Sequence, residues 1–394
     1  MLKRLYPDGL PENVASRDRV LFTKVKKVKD FQGESIDCPI IYANPGGRSH
    51  TVANVYTAAS TQNTPGKYTK FVLTRAENFA SVLIGSHVLH ASNSDRGAFV
   101  RARKTEVDGM LDEMGHSLSI ELYGDGNCVR GRRSSASTNV ITLVSPDDVK
   151  NFRVGMTVEA GPNADGSSLR SGSTTVAGVD EDSGTVTLTS AAAITSFADS
   201  DYLFEKGDSG ALGIKGLSAW LPLTAPGSTS FFGVDRSVDT TRLGGVRYDG
   251  ATLGSTIEES IMHVAERVRR VGGKPDVVMI NPVNFTTLSK SLSAKIEYEG
   301  GGGSAVIGFE TIKIATSAGI LTVYPDPDCP IDRFYVLTMK TWTLHYMGPG
   351  CPHIVDDDGQ MAVRVDGADS IAVRGRFYGQ LGCVAPAWNG VGSI

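Results

Sequence analysis

Gly207-Asp208-Ser209-Gly210 is the stretch of this sequence whose residue types come nearest to covalent chemistry, a serine hydroxyl flanked by glycines in the manner of a hydrolase nucleophile. Such a serine attacks a carbonyl only when an imidazole takes its proton and a buried carboxylate orients that imidazole. The upstream histidines are His50, His87, His90 and His116. His50 follows the turn-like Pro45-Gly46-Gly47-Arg48-Ser49, and the other three fall in strand-like or helical segments, outside the small-residue run that precedes such a base. Long capped helices are also foreign to a double β-barrel protease. The tetrapeptide therefore reads as a turn leaving an inserted domain, and a serine hydrolase using Ser209 stands as the enzymatic alternative.

Metal and phosphate chemistry are less well supplied. Cys351-Pro352-His353, with Cys329 and Cys383 elsewhere, offers thiolate and imidazole ligands, but a structural zinc site pairs its ligands at short spacing on both sides, and one such pair is present. These read as partly buried thiols. Asp356-Asp357-Asp358-Gly359 lacks the alternating spacing and terminal Glu of a calcium loop and reads as a solvated hairpin turn. No Gly-Lys-Ser/Thr follows Gly300–Gly303 and Ser304, so that run reads as a flexible loop rather than a phosphate cradle. The sequence thus assigns no catalytic, cofactor-binding or metal residue. Lys24, Lys26, Lys27 and Lys29 alternate in part with valines, which predicts a strand or arm with one charged face, solvated by default and with nucleic acid as the other partner it would suit.

The elements that would position these residues follow a clear order. From Met1 to about Gly33 nothing is periodic, and an extended arm is expected. Ile36–Tyr42 and Tyr68–Thr74, the latter continuing as Phe79–Leu89, are β-type and flank the turn-rich 60–67, the tip of a long hairpin. A two-stranded hairpin is marginal alone in water, so Phe71, Val72 and Leu73 are expected to find partners on another subunit. Val100, Val107, Met110, Leu111, Met114, Leu118 and Leu122 recur at helical spacing behind a cap at Ser94 or Asp95, predicting a helix of about seven turns ended by Gly124-Asp125-Gly126. Between about Arg133 and Lys206 the texture turns to Ser, Thr, Val and Gly, with strands at 140–144, 156–159, 174–179 and 185–189, and a small β-barrel or sandwich is expected. Ser255-Thr256-Ile257-Glu258 reads as a capping box opening a helix closed by Gly272-Gly273. Val277–Ile280 is a buried strand, Asn281-Pro282 opens a helix to about Leu292, and six further strands are expected between Ile312 and Tyr378.

Composition bounds the rest. A chain of 394 residues has room for two or three units, and its net charge of -4, from 39 basic and 43 acidic residues, supplies no global drive toward nucleic acid. Five cysteines, never in a C-x-x-C pair, fit a reducing cytoplasm. No apolar run approaches the roughly 18 residues of a membrane span, and the polar first thirty residues do not resemble a signal peptide. Glycine, at 45 residues, fits a loop-rich chain of many short strands.

Taken in order, Pro39-Ile40-Ile41-Tyr42-Ala43-Asn44-Pro45, Ser94-Asp95-Arg96-Gly97-Ala98-Phe99, Phe232-Gly233-Val234-Asp235-Arg236-Ser237, Gly273-Lys274-Pro275-Asp276 with Asn281-Pro282, and Gly379-Gln380-Leu381-Gly382-Cys383 resemble the tailed-bacteriophage major capsid protein family along nearly the whole chain. The resemblance implies an α+β capsid fold with these parts: an N-terminal arm (1–33), an extended hairpin loop (34–90) overlapping a neighbour, a peripheral-domain spine helix (91–132), an inserted β domain (133–209), an axial domain (210–352), and C-terminal strands returning to the peripheral domain (353–394). It implies a non-enzymatic shell subunit, assembled in the host bacterial cytoplasm and resident in the virion. Its partners would be copies of itself in hexamers and pentamers, a separate scaffolding protein (the arm being too short to carry a scaffolding segment), a portal, a decoration protein, and packaged double-stranded DNA touched without sequence preference. No membrane partner is implied, and spacing selects no lysine–asparagine pair for crosslinking. An encapsulin-like nanocompartment shell is the alternative within the structural class.

Overall fold

Alternating burial along two strands, and a stripe of apolar side chains along two helices, build two bodies, each from three separated stretches of chain. The computed structural model describes residues 19–46, 48–55, 65–85, 102–190, 196–293, 312–355, 362–365 and 367–394. One body takes the chain up to Phe22, Ala76–Gly216 and Tyr346–Gly379; the other takes Thr23–Arg75, Leu217–His345 and Gln380–Ile394.

In the first body the helix Ala102–Tyr123 buries Met110, Met114, Leu118 and Leu122, the stripe expected from their spacing. It packs against the strand Ala76–Gly85, which pairs antiparallel with Ser370–Gly379. The expected cap at Ser94 or Asp95 lies outside the described residues. Six strands, Val129–Ser137, Val140–Leu143, Thr157–Gly161, Thr174–Asp180, Thr185–Leu188 and Tyr202–Glu205, close a barrel, which resolves the choice between barrel and sandwich. Its interior is filled by Ile141, Leu143, Val158, Val176, Val186, Leu188 and Leu203. Burial of each such side chain contributes about 1.5–3 kcal/mol.

In the second body a six-stranded sheet runs in the order Val246–Asp249, Gly390–Ser393, Arg333–Leu337, Val277–Ile280, Gly319–Pro325, Ile312–Thr316. All four residues of Val277–Ile280 are buried, as a strand covered on both faces requires. The helix Ile257–Arg270 lays Ile261, Val264 and Val268 on the core shared with Val278, Ile280 and Phe334. Its cap is one residue later than expected. Thr256 accepts from the Glu259 N–H and the Glu259 carboxylate answers to the Thr256 N–H, whereas the Ser255 hydroxyl is held by the Tyr248 hydroxyl at 2.8 Å. Gly272, at φ +89°, supplies the left-handed residue that ends the helix.

Several expectations are corrected. Residues 19–33 are not an extended arm: Val20–Lys24 is a helical turn, Lys26–Val28 pairs in parallel with Thr343–His345, and Leu21, Val25 and Phe31 are buried. Phe71 and Leu73 are 0% exposed within their own chain, because the strand Lys67–Thr74 packs its inner face on Trp220 and Phe231 and the Val72 N–H donates to the Phe232 carbonyl. Phe79 does not continue that strand; Ala76–Gly85 is a separate strand in the other body. Residues 353–394 do not stay together either, since Gly390–Ser393 is paired on both sides within the second body's sheet.

Candidate functional site

The residues that suggested chemistry are placed one by one. Ser209 sits in a turn after the last barrel strand, with the Asp208 N–H donating to the Glu205 carbonyl at 3.0 Å. The chain there presses on Gly166, where an added Cβ would lie 2.7 Å from the serine Cβ. The Asp208 carboxylate faces Arg130 at 3.6 Å, so the motif's acid is committed to an arginine. Among the described residues no hydrogen bond joins Ser209 to a histidine. His116 lies within the helix Ala102–Tyr123, His50 is exposed in the second body, and His87 and His90 lie outside the described residues.

His353 uses both ring nitrogens: Nε2 accepts from Arg376 at 3.1 Å and Nδ1 donates to the Gly350 carbonyl at 3.1 Å. Cys329 and Cys383 are fully buried in the second body, while Cys351 and His353 belong to the first. Burial pushes the Cys383 thiol up to about 12, so it stays a protonated, apolar-like side chain. Among the described residues no three His, Cys, Asp or Glu side chains gather as a metal site would need. Gly300–Ser304 and Asp356–Gly359 lie outside the described residues. Of the four lysines, Lys24 sits over the Tyr324 ring at 3.9 Å, and Lys26, Lys27 and Lys29 are exposed. No helix among the described residues is long and apolar enough to cross a membrane.

What the strands present outward is apolar surface. In the hairpin, Cys38, Phe71 and Leu73 face in, while Ile41 and Tyr68 stand directly opposite one another on the outer face, 62% and 69% exposed. A diagonal ion pair between Lys70 and Asp37, at 2.6 Å, braces that face. In the first body the strand Ala76–Gly85 turns Ala80, Val82 and Ile84 away from solvent and leaves Phe79 and Leu83 exposed, with Phe79 edge-on to Tyr378 at 5.6 Å. Large apolar side chains held in register on rigid strands are the ordinary makings of a protein contact.

Sequence reasoning missed a polar network in the first body. Glu121, largely buried on the helix, accepts from Asn78 at 3.0 Å and from the Ile214 N–H at 3.1 Å. Arg130, opening the barrel, donates to Ser117 at 3.0 Å and pairs with Glu205 at 3.3 Å. Its signal was present in the i, i+4 spacing of Ser117 and Glu121, two polar positions beside the stripe of Met114, Leu118 and Leu122.

Residues 195–366 match the family model described as SU10 major capsid protein. The whole chain is similar to a chain of the cyanophage A-1(L) capsid, at a TM-score of 0.57 and 13% identity over 99% of this chain and 96% of that one. It is also similar to a chain of the capsid of an empty GTA particle, at a TM-score of 0.51 and 9% identity over 100% of this chain and 95% of that one. No curated protein matches the sequence. The α+β fold is that of phage capsid proteins.

Proposed function

We propose that this chain is the major capsid protein of a tailed phage, a head shell subunit whose function is the surface it presents to copies of itself. The observation that carries this reading is the capsid fold over essentially the full length, joined to the family match across residues 195–366. The body with the long helix then corresponds to the peripheral domain and the body with the six-stranded sheet to the axial domain, with the barrel as an insertion on the outer surface. The hairpin's outer face is the part that overlaps a neighbour. Its inner face is used up within the chain, so Ile41 and Tyr68 are what remains for another subunit to cover. Hexamers and pentamers, a separate scaffolding protein, a portal, a decoration protein and non-specific contact with packaged double-stranded DNA complete the assembly, which forms in the host cytoplasm.

Negative-stain electron microscopy of the purified chain, alone and with a candidate scaffold, tests the reading. Closed shells or capsomers are expected, and a persistent monomer in both conditions overturns it. The pair Ile41→Asp with Tyr68→Ser is expected to leave the melting curve of the monomer within about 0.5 kcal/mol, as exposed sites do, while abolishing closed shells. Unchanged shell yield would remove the hairpin from the interface. Ser209→Ala is expected to change neither shell yield nor stability; labelling of Ser209 by a fluorophosphonate in the folded chain, lost on denaturation, would favour the hydrolase.

A further inference from the structure

Two neighbouring arginines of the second body are tied down by carbonyl groups alone. Arg236 opens the short helical turn Arg236–Asp239 and is 8% exposed. One face of its guanidinium lies on the Phe231 ring at 3.9 Å, and Nη1 donates to the Ala219 carbonyl at 2.8 Å and to the Trp220 carbonyl at 3.3 Å. Both hydrogen bonds start from Nη1. Among the described residues Nη2 has no acceptor, and neither has Nε, which is held away from water. Arg247, partly exposed, gives Nη1 to the Gly244 carbonyl at 3.2 Å and Nη2 to the Thr240 carbonyl, which leaves its Nε over. The turn leading to Arg247 packs against the segment that holds Arg236: a Cβ added at Gly245 would lie 2.2 Å from Leu221, the residue after the two acceptors of Arg236.

The nearest acids in the sequence are committed elsewhere. Asp235 accepts from the Ser237 N–H at 2.8 Å and from its hydroxyl at 2.6 Å, and Asp239 pairs with Arg242 at 3.3 Å. Burial and the charge of Arg247 push Arg236 down to about 10, and among the described residues no carboxylate acts on either guanidinium to offset this. A charge taken out of water without a counter-charge is costly, and carbonyl dipoles on one edge of the fork repay only part of that cost.

We propose that Arg236 and Arg247 form a binding site for a small oxyanion of the phosphate class, held by the Nε–Nη2 edge of Arg236 and by the Nε of Arg247.

The chemistry of the two side chains selects this ligand. A guanidinium edge presents two parallel N–H groups that match two oxygens of one anion, and two positive charges suit a doubly charged ion. The carbonyl bonds already fix both guanidinium groups, so little side-chain freedom is lost on binding. Arg236 keeps too little surface to meet a polymer backbone, which makes free phosphate the source and duplex DNA the source to be tested against it.

Equilibrium dialysis of the full chain against labelled inorganic phosphate, with chloride holding the ionic strength constant, is expected to show saturable uptake of about one phosphate per chain, half-saturated below about 1 mM. Arg247→Gln is expected to weaken uptake at least about tenfold, and Arg236→Lys, which keeps the charge and loses the fork, at least as much. Arg132→Gln, on the barrel, is expected to leave it unchanged. Uptake that does not saturate, half-saturation above that concentration, or equal affinity in Arg247→Gln overturns the proposal. Should Arg236→Lys not fold, Arg247→Gln carries the test by itself. Duplex DNA without terminal phosphates, at equal phosphate concentration, is expected not to displace the label; displacement would assign the site to a nucleic-acid backbone and overturn the free ion as its ligand. The readout is the isolated chain, so it stands or falls apart from shell assembly.

Discussion

Trp220→Ala is expected to destabilise the second body by about 3–5 kcal/mol, a large share of the roughly 5–15 kcal/mol that holds a typical domain folded. Trp220 is 0% exposed, with ring centroids 4.9 Å from Phe71, 5.1 Å from Phe231, 5.8 Å from Phe232 and 6.3 Å from Trp342. Its indole N–H also donates to the Leu381 carbonyl at 3.2 Å. Removing it opens a cavity beneath the hairpin, the helical turn Leu217–Trp220 and the strand ending at Cys383 together, so no one of them can collapse to fill it. Arg236, which stacks on Phe231 and donates to the Ala219 and Trp220 carbonyls, keeps these partners in the variant, so the loss is one of packing. Urea unfolding followed by circular dichroism measures the loss. Phe79→Ala, at a site 59% exposed in the other body, is the control expected to change monomer stability little; a Trp220→Ala loss below about 1 kcal/mol would mean the cluster is not a core.

Asn389→Leu is expected to cost about 3–6 kcal/mol, comparable in size but different in origin. The Asn389 side chain is completely buried and satisfied: Oδ1 accepts from the Thr338 N–H at 2.8 Å and from Trp342 Nε1 at 2.9 Å, and Nδ2 donates to Thr341 at 3.0 Å and to the Ala385 carbonyl at 2.9 Å. Leucine fills the volume but strands two donors away from water. Asn389→Asp separates packing from hydrogen bonding. Buried aspartate has a raised folded pKa, so its variant is least stable at neutral pH and regains stability as pH falls and a protonated carboxyl supplies both a donor and an acceptor. A pH-independent Asn389→Asp, followed by thermal melts between about pH 4 and about pH 8, would contradict this assignment.

What could be read from the sequence was whatever is decided locally. The stripe on Ala102–Tyr123, the buried strand Val277–Ile280 and the Asn281-Pro282 helix start follow from spacing and cap chemistry, and the structure reproduces them. What escaped is decided by distant neighbours. Val129–Ser137 carries three arginines and little apolar alternation, yet it is a barrel strand because Arg130 and Arg133 find Glu205 and Asp199 when the barrel closes. Gly390–Ser393 has weak strand propensity and is a strand because it is paired on both sides and because only a glycine at 392 leaves room for the Phe334 ring. The capping box was expected at Ser255 with Glu258, but the Tyr248 hydroxyl holds Ser255 and the box forms one residue later, at Thr256 with Glu259. The candidate surface was half legible: the hairpin was visible, but which of its faces the chain keeps for itself was not.

The three-stretch composition of each body has a kinetic consequence. Asp30 meets His345 at 2.8 Å across 315 residues of chain, Lys26–Val28 pairs with Thr343–His345, and Gly390–Ser393 must slide between strands that precede it by long intervals. Each of these contacts closes a long loop before it is rewarded, and topologies dominated by such contacts fold slowly. While a ribosome is still extending the chain, the second body's sheet lacks an inner strand and its edges stand open, the condition under which partly folded chains aggregate. The rate at which folded chains appear is therefore governed by the search for these remote pairings more than by the equilibrium stability of the finished fold.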